Sequence, residues 1–152
     1  MSLEEDAKLL AKVELFTNVA PKRLKLLALA SSRVLFAQGQ DICVEGQEGE
    51  EAFILISGEA EVKIRVDGGA MATVATLGCN DIVGEMAILR DMPRTATVTA
   101  LSPVATLRIG KQDFLNLLQE FPEVAVSVLR ALADRLAHTT SDLAKARAAR
   151  SA

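Results

Sequence analysis

Apolar residues recur at helical spacing over residues 4–30. They lie three or four positions apart, as on one face of an amphipathic helix, and a proline stands where a second helix would begin. The residues concerned are Leu9, Leu10, Val13, Pro21, Leu24, Leu26, Leu27 and Leu29. The pattern predicts two short helices at the start of the chain.

From Ser32 to Ile109 the pattern changes to short apolar runs separated by turn residues. The runs follow one another too closely for helical crossovers, so the strands are expected to pair mostly antiparallel. The predicted strands are Arg33–Ala37, Asp41–Val44, Glu51–Ser57, a strand through Val62, Ile64 and Val66, and then Ala70–Leu77, Thr95–Ala100 and Val104–Ile109. Strands in this number and order predict a small roll or barrel.

One hairpin stands out inside this region. Val62, Ile64 and Val66 alternate with charged residues, which is the pattern of a half-buried strand. Two glycines in the 67–69 segment then favour a tight turn into the next strand. We expect a hairpin with one face in contact with water.

Helical spacing returns beyond residue 110. Residues 111–121 form one predicted helix, and Pro122 suits the first turn of a long Ala- and Leu-rich helix that ends near Ala149. Alternate spacings of four and three, as in a coiled-coil seam, join Ala125, Leu129, Leu132, Leu136, Thr139 and Leu143. Two interpretations stay open: a homodimer formed through the 122–149 helix, or a helix packed only on its own roll.

The length of 152 residues and the net charge of −3 fit a single domain with one sufficient core. We expect the roll and its N-terminal helices in residues 4–121, and the C-terminal helix of the same domain in 122–150. No apolar run is long enough to cross a bilayer, and the N-terminus is acidic. The chain is therefore expected to be soluble and cytoplasmic.

Several chemistries are excluded by residue type. Cys43, Cys79 and His138 lie far apart in the sequence, so we expect no disulfide, no metal site and no cofactor. The predicted roll contains no histidine and no nucleophile beside a base, which argues against an enzyme. The acidic balance and the lack of Tyr and Trp argue against direct nucleic-acid binding.

Residues 84–96 carry the candidate chemistry. A short apolar helical turn begins at Gly84-Glu85, and Arg94 follows near the end of the segment. Helix N–H groups and a guanidinium suit a singly charged phosphate diester, and Gly84 lets the backbone approach a ligand closely. The Glu85 carboxylate suits a sugar hydroxyl. A simple surface Arg–Glu ion pair is the alternative.

The same segment resembles the phosphate-binding cassette of the cyclic nucleotide-binding domain family. The resemblance covers about residues 8–145 and includes the segments 13–16, 39–42, 45–49 and 56–62. It implies a mainly β fold with flanking helices: an antiparallel double-stranded β-helix, or jelly roll, with N-terminal helices and a long C-terminal helix. It implies a regulatory domain that binds cyclic AMP or cyclic GMP.

The resemblance also implies roles for individual residues. Arg94 would pair with the cyclic phosphate and Glu85 would accept the ribose 2′-hydroxyl. Backbone N–H groups of Ala87 and Thr95 would complete the phosphate site, and Gly84 and Met86 would line the ribose. Contacts to the base would come from Val62, Ile64, Met71, Thr73 and Ile82, each of which is otherwise a core or sheet residue.

Base preference is less determined. Thr95 is compatible with a contact to guanine, but family members with threonine there also respond to cyclic AMP. Residues 135–141 resemble the dimeric bacterial cyclic AMP-dependent activators, which implies that Thr139 contacts adenine and Thr140 reaches the ligand of the partner subunit. Cyclic AMP is the first expectation and cyclic GMP the alternative. A roll that only binds a partner is the third.

The chain departs from the family pattern in three places. Asn80 replaces a common glycine, and it is expected to adopt the left-handed conformation that the turn needs. Val83 replaces a frequent phenylalanine. The sequence stops at Ala152, without the DNA-binding domain of the bacterial activators, so we expect the output to lie outside this chain. Nucleotide binding is expected to move the cassette and re-seat the C-terminal helix.

Overall fold

Eight strands form two four-stranded antiparallel sheets. A computed structural model describes residues 2–151. The strands are β1 (Ser32–Phe36), β2 (Asp41–Cys43), β3 (Glu51–Ser57), β4 (Ala60–Arg65), β5 (Met71–Leu77), β6 (Ile82–Val83), β7 (Thr97–Ala100) and β8 (Val104–Gly110). One sheet has the order β1-β8-β3-β6 and the other β2-β7-β4-β5. The strands form a roll with helices before and after it, which confirms the predicted fold class.

The N-terminal segment folds into α1 (Leu3–Ala11), a short 3₁₀ turn and α2 (Pro21–Ala30). The Ser2 side chain caps α1 by accepting a hydrogen bond from the Glu5 N–H at 3.1 Å. Both predicted helices are confirmed. Within α2, however, Leu26 and Leu29 are exposed, because the helix turns only one face toward the roll.

Strand predictions differ from the structure mainly at strand ends. The two-residue strand β6, which pairs with Phe53 and Ile54 of β3, was not predicted, because two residues are too few to show a period. The strand expected to start at Thr95 starts at Thr97. Before it, the backbone of Arg94 instead bonds the turn at residues 46–47, through Gly46 N–H and Gln47 C=O.

The β4–β5 hairpin extends beyond the rest of its sheet. Strand β4 pairs with β7 from Ala60 to Lys63. Beyond Lys63, β5 is the only described strand that pairs with β4. Strand β5 lies at the sheet edge and is mostly exposed. The hairpin is confirmed, but Val66 lies in the turn beyond β4, not in the strand.

Buried apolar side chains form two clusters. The first lies between the helices and the outer face of the β1-β8-β3-β6 sheet, where Phe16 and Phe114 pack edge to face. It also contains Ile88, from the short helix α3 (Glu85–Arg90). The second fills the roll, with Phe36 and Phe53 packed edge to face. The helices and the roll interior therefore have separate cores.

Two helices end the chain: α4 (Lys111–Glu120) and α5 (Pro122–Ser151). The first turns of α5 are held on the N-terminal helices, because Val124 and Val128 are buried in the first cluster. At the junction between the helices, the guanidinium of Arg23 lies 3.7 Å from the ring centre of Phe121 and 3.1 Å from a Glu123 carboxylate oxygen. The base of α5 is thus fixed to the rest of the domain.

Most of α5 beyond Val128 is exposed. Leu129, Leu136 and Leu143, which recur every seven residues, are 63%, 66% and 52% exposed. Leu132 is partly buried against the first cluster, so the predicted seam is only partly covered by the chain's own roll. In residues 2–151, no helix combines the length and the apolar character that crossing a membrane would need.

Candidate ligand-binding site

A cavity of about 240 Å³ opens between α3 and the interior of the roll. Strands β2, β4, β5 and β6 supply its walls, and the chain from residue 94 to residue 98 closes one side. The lining residues are Cys43, Val62, Leu77, Ile82, Val83, Gly84, Glu85, Met86, Ala87, Arg94, Thr95, Ala96 and Val98. The structure thus brings Gly84, Glu85, Met86, Ala87, Arg94 and Thr95 to one cavity.

Gly84 begins α3 in a left-handed conformation, with φ of 89°. A Cβ at this position would overlap Arg94 Nη1 and lie 2.8 Å from the Glu51 carbonyl oxygen. Only glycine therefore fits beside the Arg94 guanidinium and the Glu51 carbonyl group. In the turn before it, Asn80 has φ of 75°, which confirms the expected left-handed conformation.

The cassette rests on the 45–51 loop and on α4. A Cβ at Gly49 would overlap the Ala87 side chain, so this glycine lets α3 pack directly against the loop. At the other end of α3, Asp91 Oδ1 lies 2.7 Å from Lys111 Nζ. The hydrogen bond from Lys111 lowers the pKa of Asp91, and its partner Asp91 raises the pKa of Lys111.

Arg94 is the buried cation of the cavity and is 9% exposed. Its Nη2 donates to the Glu51 carbonyl oxygen at 2.8 Å, which fixes the direction of the guanidinium. Its Nη1 is buried and has no hydrogen-bond partner among residues 2–151. A buried donor without a partner is costly, and a cationic donor more so. The site therefore suits an anion that enters the cavity.

Glu85 is 7% exposed and is linked to the C-terminal helix. Its Oε1 accepts a hydrogen bond from Arg135 Nη1 of α5 at 3.2 Å. No sequence pattern connects these residues, because they are fifty positions apart and an arginine on an amphipathic helix usually points to solvent. The contact joins the cassette directly to α5.

Cys43 faces the same cavity from β2. Burial raises the pKa of its thiol to about 11, although the nearby Arg94 guanidinium acts in the opposite direction. The carboxylates of Glu85 and Glu51 add to the increase. The thiol is therefore protonated at neutral pH. No sequence pattern indicates a cysteine in the site, because the spacing of the two cysteines is that of ordinary buried apolar groups.

The expected base contacts divide into two groups. Val62 and Ile82 line the cavity, whereas Ile64, Met71 and Thr73 are not among its described lining residues. Ile64 and Met71 belong to the outer part of the β4–β5 hairpin, past the point where β7 pairs with β4, and Thr73 pairs with Lys63, the last residue of β4 that pairs with β7. The cavity does gain Leu77 and Val98, which sequence reasoning did not select.

Thr139 and Thr140 lie away from the cavity in this single chain. Both are exposed on α5, and the Thr139 hydroxyl donates to the Arg135 carbonyl oxygen of its own helix at 3.0 Å. They lie just beyond Arg135, the point at which α5 contacts the cassette. Neither threonine is among the described residues that line the cavity.

The sequence profile of the cyclic nucleotide-binding domain matches residues 33–121. This stretch contains the whole cassette and the eight described strands, except for Ser32, the first residue of β1. The chain therefore belongs to the cyclic nucleotide-binding domain family, as the motifs predicted.

Individual relatives are regulatory proteins by name. The chain is 28% identical over 137 residues to a CRP-like cAMP-activated global transcriptional regulator of Mycobacterium tuberculosis, covering 90% of this chain and 61% of that protein. It is 30% identical over 129 residues to a cyclic AMP receptor protein of Thermus thermophilus, covering 85% of this chain and 60% of that protein. The chain thus spans about three fifths of these relatives.

Among solved structures, the N-terminal domain of a transcriptional regulator from Streptomyces coelicolor superposes with a TM-score of 0.74 and 32% identity. The match covers 88% of this chain and 95% of that domain. The likeness therefore extends over nearly the whole of a domain whose fold is known.

Proposed function

We propose that this chain is a regulatory sensor domain that binds cyclic AMP in the cavity beside α3 and signals through α5. The observation that carries the proposal is that Arg94 lines the cavity while its buried Nη1 has no partner in the described chain. A cyclic phosphate carries a single negative charge and could accept hydrogen bonds from this guanidinium.

The surrounding residues support a ligand with both an anionic and a hydroxyl-bearing part. The Glu85 carboxylate accepts hydrogen bonds only, and its position on the cavity wall suits the ribose 2′-hydroxyl. Gly84, Met86 and Ala87 would line the sugar and phosphate. The apolar walls, which include Val62, Leu77, Ile82 and Val98, suit the faces of a purine.

Cyclic AMP is proposed ahead of cyclic GMP because of the relatives. Two of the proteins compared above are named for cyclic AMP, and the solved regulatory domain of Toxoplasma gondii PKA, at 30% identity, is a complex with cyclic AMP. Thr95, which lines the cavity, leaves a contact to guanine open. Cyclic GMP is therefore the alternative ligand.

Thermal denaturation with added nucleotide tests the proposed ligand. Cyclic AMP at about 100 times its dissociation constant is expected to stabilise the domain by about 2.7 kcal/mol, which corresponds to a rise in Tm of about 5–10 °C. Cyclic GMP at the same concentration is expected to give a smaller rise. No rise in Tm is expected with 5′-AMP. This nucleotide carries two negative charges on its phosphate, and Arg94 is the one cationic side chain among the described residues that line the cavity. A larger response to cyclic GMP would reverse the base assignment.

Absence of any response in folded protein that is free of bound nucleotide would contradict nucleotide binding altogether. It would favour a roll that acts only as an interaction module. Isothermal titration calorimetry on the same samples distinguishes a weak ligand from none.

The route to α5 is proposed to run through Glu85 and Arg135. In the structure, the Glu85 carboxylate bonds Arg135 Nη1 at 3.2 Å. A ribose 2′-hydroxyl that bonds the same carboxylate would change the environment of Arg135, and with it the position of the exposed part of α5. Such coupling requires the ligand to bind the two arrangements with different affinity.

The exposed face of α5 is proposed to pair with a second copy of the chain. The leucines at 129, 136 and 143 form a seven-residue repeat, and a parallel pair of such helices would bury them against each other. In this register Arg135 of one copy, which bonds Glu85 of its own chain, would lie near Thr140 of the partner subunit. The expected contact of Thr140 with the neighbouring site is part of this proposal.

A charge in the proposed seam tests the dimer. Leu136→Asp is expected to convert the dimer to a monomer, because it places two carboxylates in an apolar interface. Sedimentation velocity measures the change in mass. Ala137→Asp, at an exposed position outside the seam, is the matched control and is expected to remain dimeric. A parent protein that is monomeric with and without cyclic AMP would contradict the proposal.

The role is proposed to be regulatory and not catalytic. The proteins compared above are named as transcriptional regulators, as a regulatory domain and as a cyclic AMP receptor protein. The protein is proposed to act in the cytoplasm, where thiols stay reduced, because Cys43 and Cys79 are both free.

A further inference from the structure

The two cysteines of the chain lie in different surroundings. Cys79 is exposed in the turn before β6, where its Sγ is 3.2 Å from the Ile56 carbonyl oxygen. Cys43 is 4% exposed in β2 and lines the cavity assigned to the nucleotide. Only Cys43 therefore shares space with the ligand.

The cavity around Cys43 is built to receive a ligand independently of the thiol. Arg94, itself 9% exposed, lines the cavity, and its Nη1 has no partner in the described chain. Met86 and Thr95 line the same cavity and are exposed, so the cavity reaches the protein surface. A small reagent can enter by the route that a nucleotide would use.

We propose that Cys43 is a covalent modification site inside the ligand cavity, and that its reaction with small sulfenylating electrophiles and the binding of a cyclic nucleotide exclude each other. A group joined to Sγ would occupy the volume beside Arg94 that the phosphate needs. A bound nucleotide would in turn cover the thiol. This proposal rests on the proposed function.

The reaction can be written with a thiosulfonate. The Cys43 thiol first loses its proton to solvent, and the thiolate attacks the sulfenyl sulfur of methyl methanethiosulfonate. A disulfide forms between Sγ and the methylthio group, and the S–S bond of the reagent breaks. Methanesulfinate leaves with the electron pair. The product is Cys43 carrying a methylthio group, which a dithiol removes by exchange.

The charged groups facing Cys43 set the rate of this reaction. Arg94 favours the thiolate, whereas Glu85 and Glu51 disfavour it, and burial raises the thiol pKa to about 11. Because the thiolate is the nucleophile, the rate at neutral pH is expected to be low and to rise about tenfold per pH unit. Cys43 is therefore expected to react at least tenfold more slowly than exposed Cys79.

The first test is protection by nucleotide, in a Cys79→Ser variant so that one thiol remains. Mass spectrometry follows methylthiolation at pH 8.5, with no nucleotide or with cyclic AMP at a concentration that calorimetry on the same variant shows to be saturating. Saturating cyclic AMP is expected to slow the reaction of Cys43 at least tenfold. An unchanged rate at proven saturation would overturn the proposal while leaving the proposed function intact.

The second test is the reverse effect. The Cys79→Ser variant with methylthiolated Cys43 is expected to bind cyclic AMP at least tenfold more weakly, and dithiothreitol is expected to restore the affinity. Cys43→Ser/Cys79→Ser, treated in the same way, is expected to show no change on treatment. If that variant does not fold, Cys43→Ala/Cys79→Ser replaces it. Full affinity in the methylthiolated protein would overturn the proposal.

Failure of the proposed function has a separate result. In that case calorimetry on untreated protein shows no binding of cyclic AMP or cyclic GMP, and the exclusion proposed for Cys43 falls with it.

Discussion

Replacement of Arg94 by methionine is expected to weaken cyclic AMP binding by about 30-fold or more. Removing one partner of a buried, hydrogen-bonded charge pair typically costs 2 to 5 kcal/mol, or about 30- to several thousand-fold in affinity. Arg94 is expected to supply the positive side of that pair, because its Nη1 is buried without a partner in residues 2–151. Isothermal titration calorimetry measures the change.

The same substitution is expected to leave the unliganded domain as stable as the parent or more so. The substitution loses the 2.8 Å hydrogen bond to the Glu51 carbonyl oxygen, which lowers the stability. It also removes the cost of burying a cation whose Nη1 has no described partner, which raises the stability by at least as much. Urea denaturation measures this free energy of unfolding. Loss of binding without loss of stability would separate a ligand-binding role from a structural one.

Arg90→Met is the matched control for the charge. Arg90 is the last residue of α3, four positions before Arg94, but it is exposed, and its Nη2 lies 3.3 Å from Met92 Sδ. Its replacement is expected to change affinity less than threefold. Equal losses in both variants would indicate a general effect of charge on the protein, and parent affinity in Arg94→Met would exclude the cassette as the anion site.

Gly84→Ala has the second large expected effect. The residue has φ of 89°, which costs an alanine about 1 to 2 kcal/mol. The added methyl group would also overlap Arg94 Nη1 and approach the Glu51 carbonyl oxygen. We expect a lower free energy of unfolding and at least a tenfold loss of cyclic AMP affinity, because the guanidinium must move. Urea denaturation and calorimetry measure the two effects.

Gly39→Ala separates crowding from backbone conformation. Gly39 has nearly the same φ, 86°, but a Cβ there would meet no atom within 4 Å. Its alanine variant is expected to lose only the conformational part of the stability and none of the affinity. If the two alanine variants bind cyclic AMP equally well, the close approach of Gly84 to Arg94 has no role in binding.

The local parts of the fold could be predicted well from the sequence. The β4–β5 hairpin, the proline at the start of α2 and the break before α5 each depend on a few neighbouring residues. The cassette is also local, since Gly84, Glu85 and Arg94 lie within a short segment whose glycine, acid and arginine each have a specific chemical use. The three residues line one cavity because they belong to the same short segment.

Features that depend on distant residues could not be predicted. The contact between Arg135 and Glu85 joins α5 to the start of α3, and no periodicity in either segment indicates it. The position of Cys43 in the cavity depends on the pairing of β2 with β7. The family resemblance implied that Ile64 and Thr73 contact the base, but a resemblance between sequences does not show which residues of a hairpin reach the cavity.

Helix α3 lies at the boundary between the two buried clusters. Val83, just before the helix, is buried in the roll cluster, whereas Ile88 is buried with Val124 and Val128 at the base of α5. Because protein interiors are close-packed, a displaced Ile88 side chain must be accommodated by the cluster that it shares with Val124 and Val128. The back of the cassette and the root of the C-terminal helix thus share the same packing, so the rigidity of that core sets how far one can move without the other.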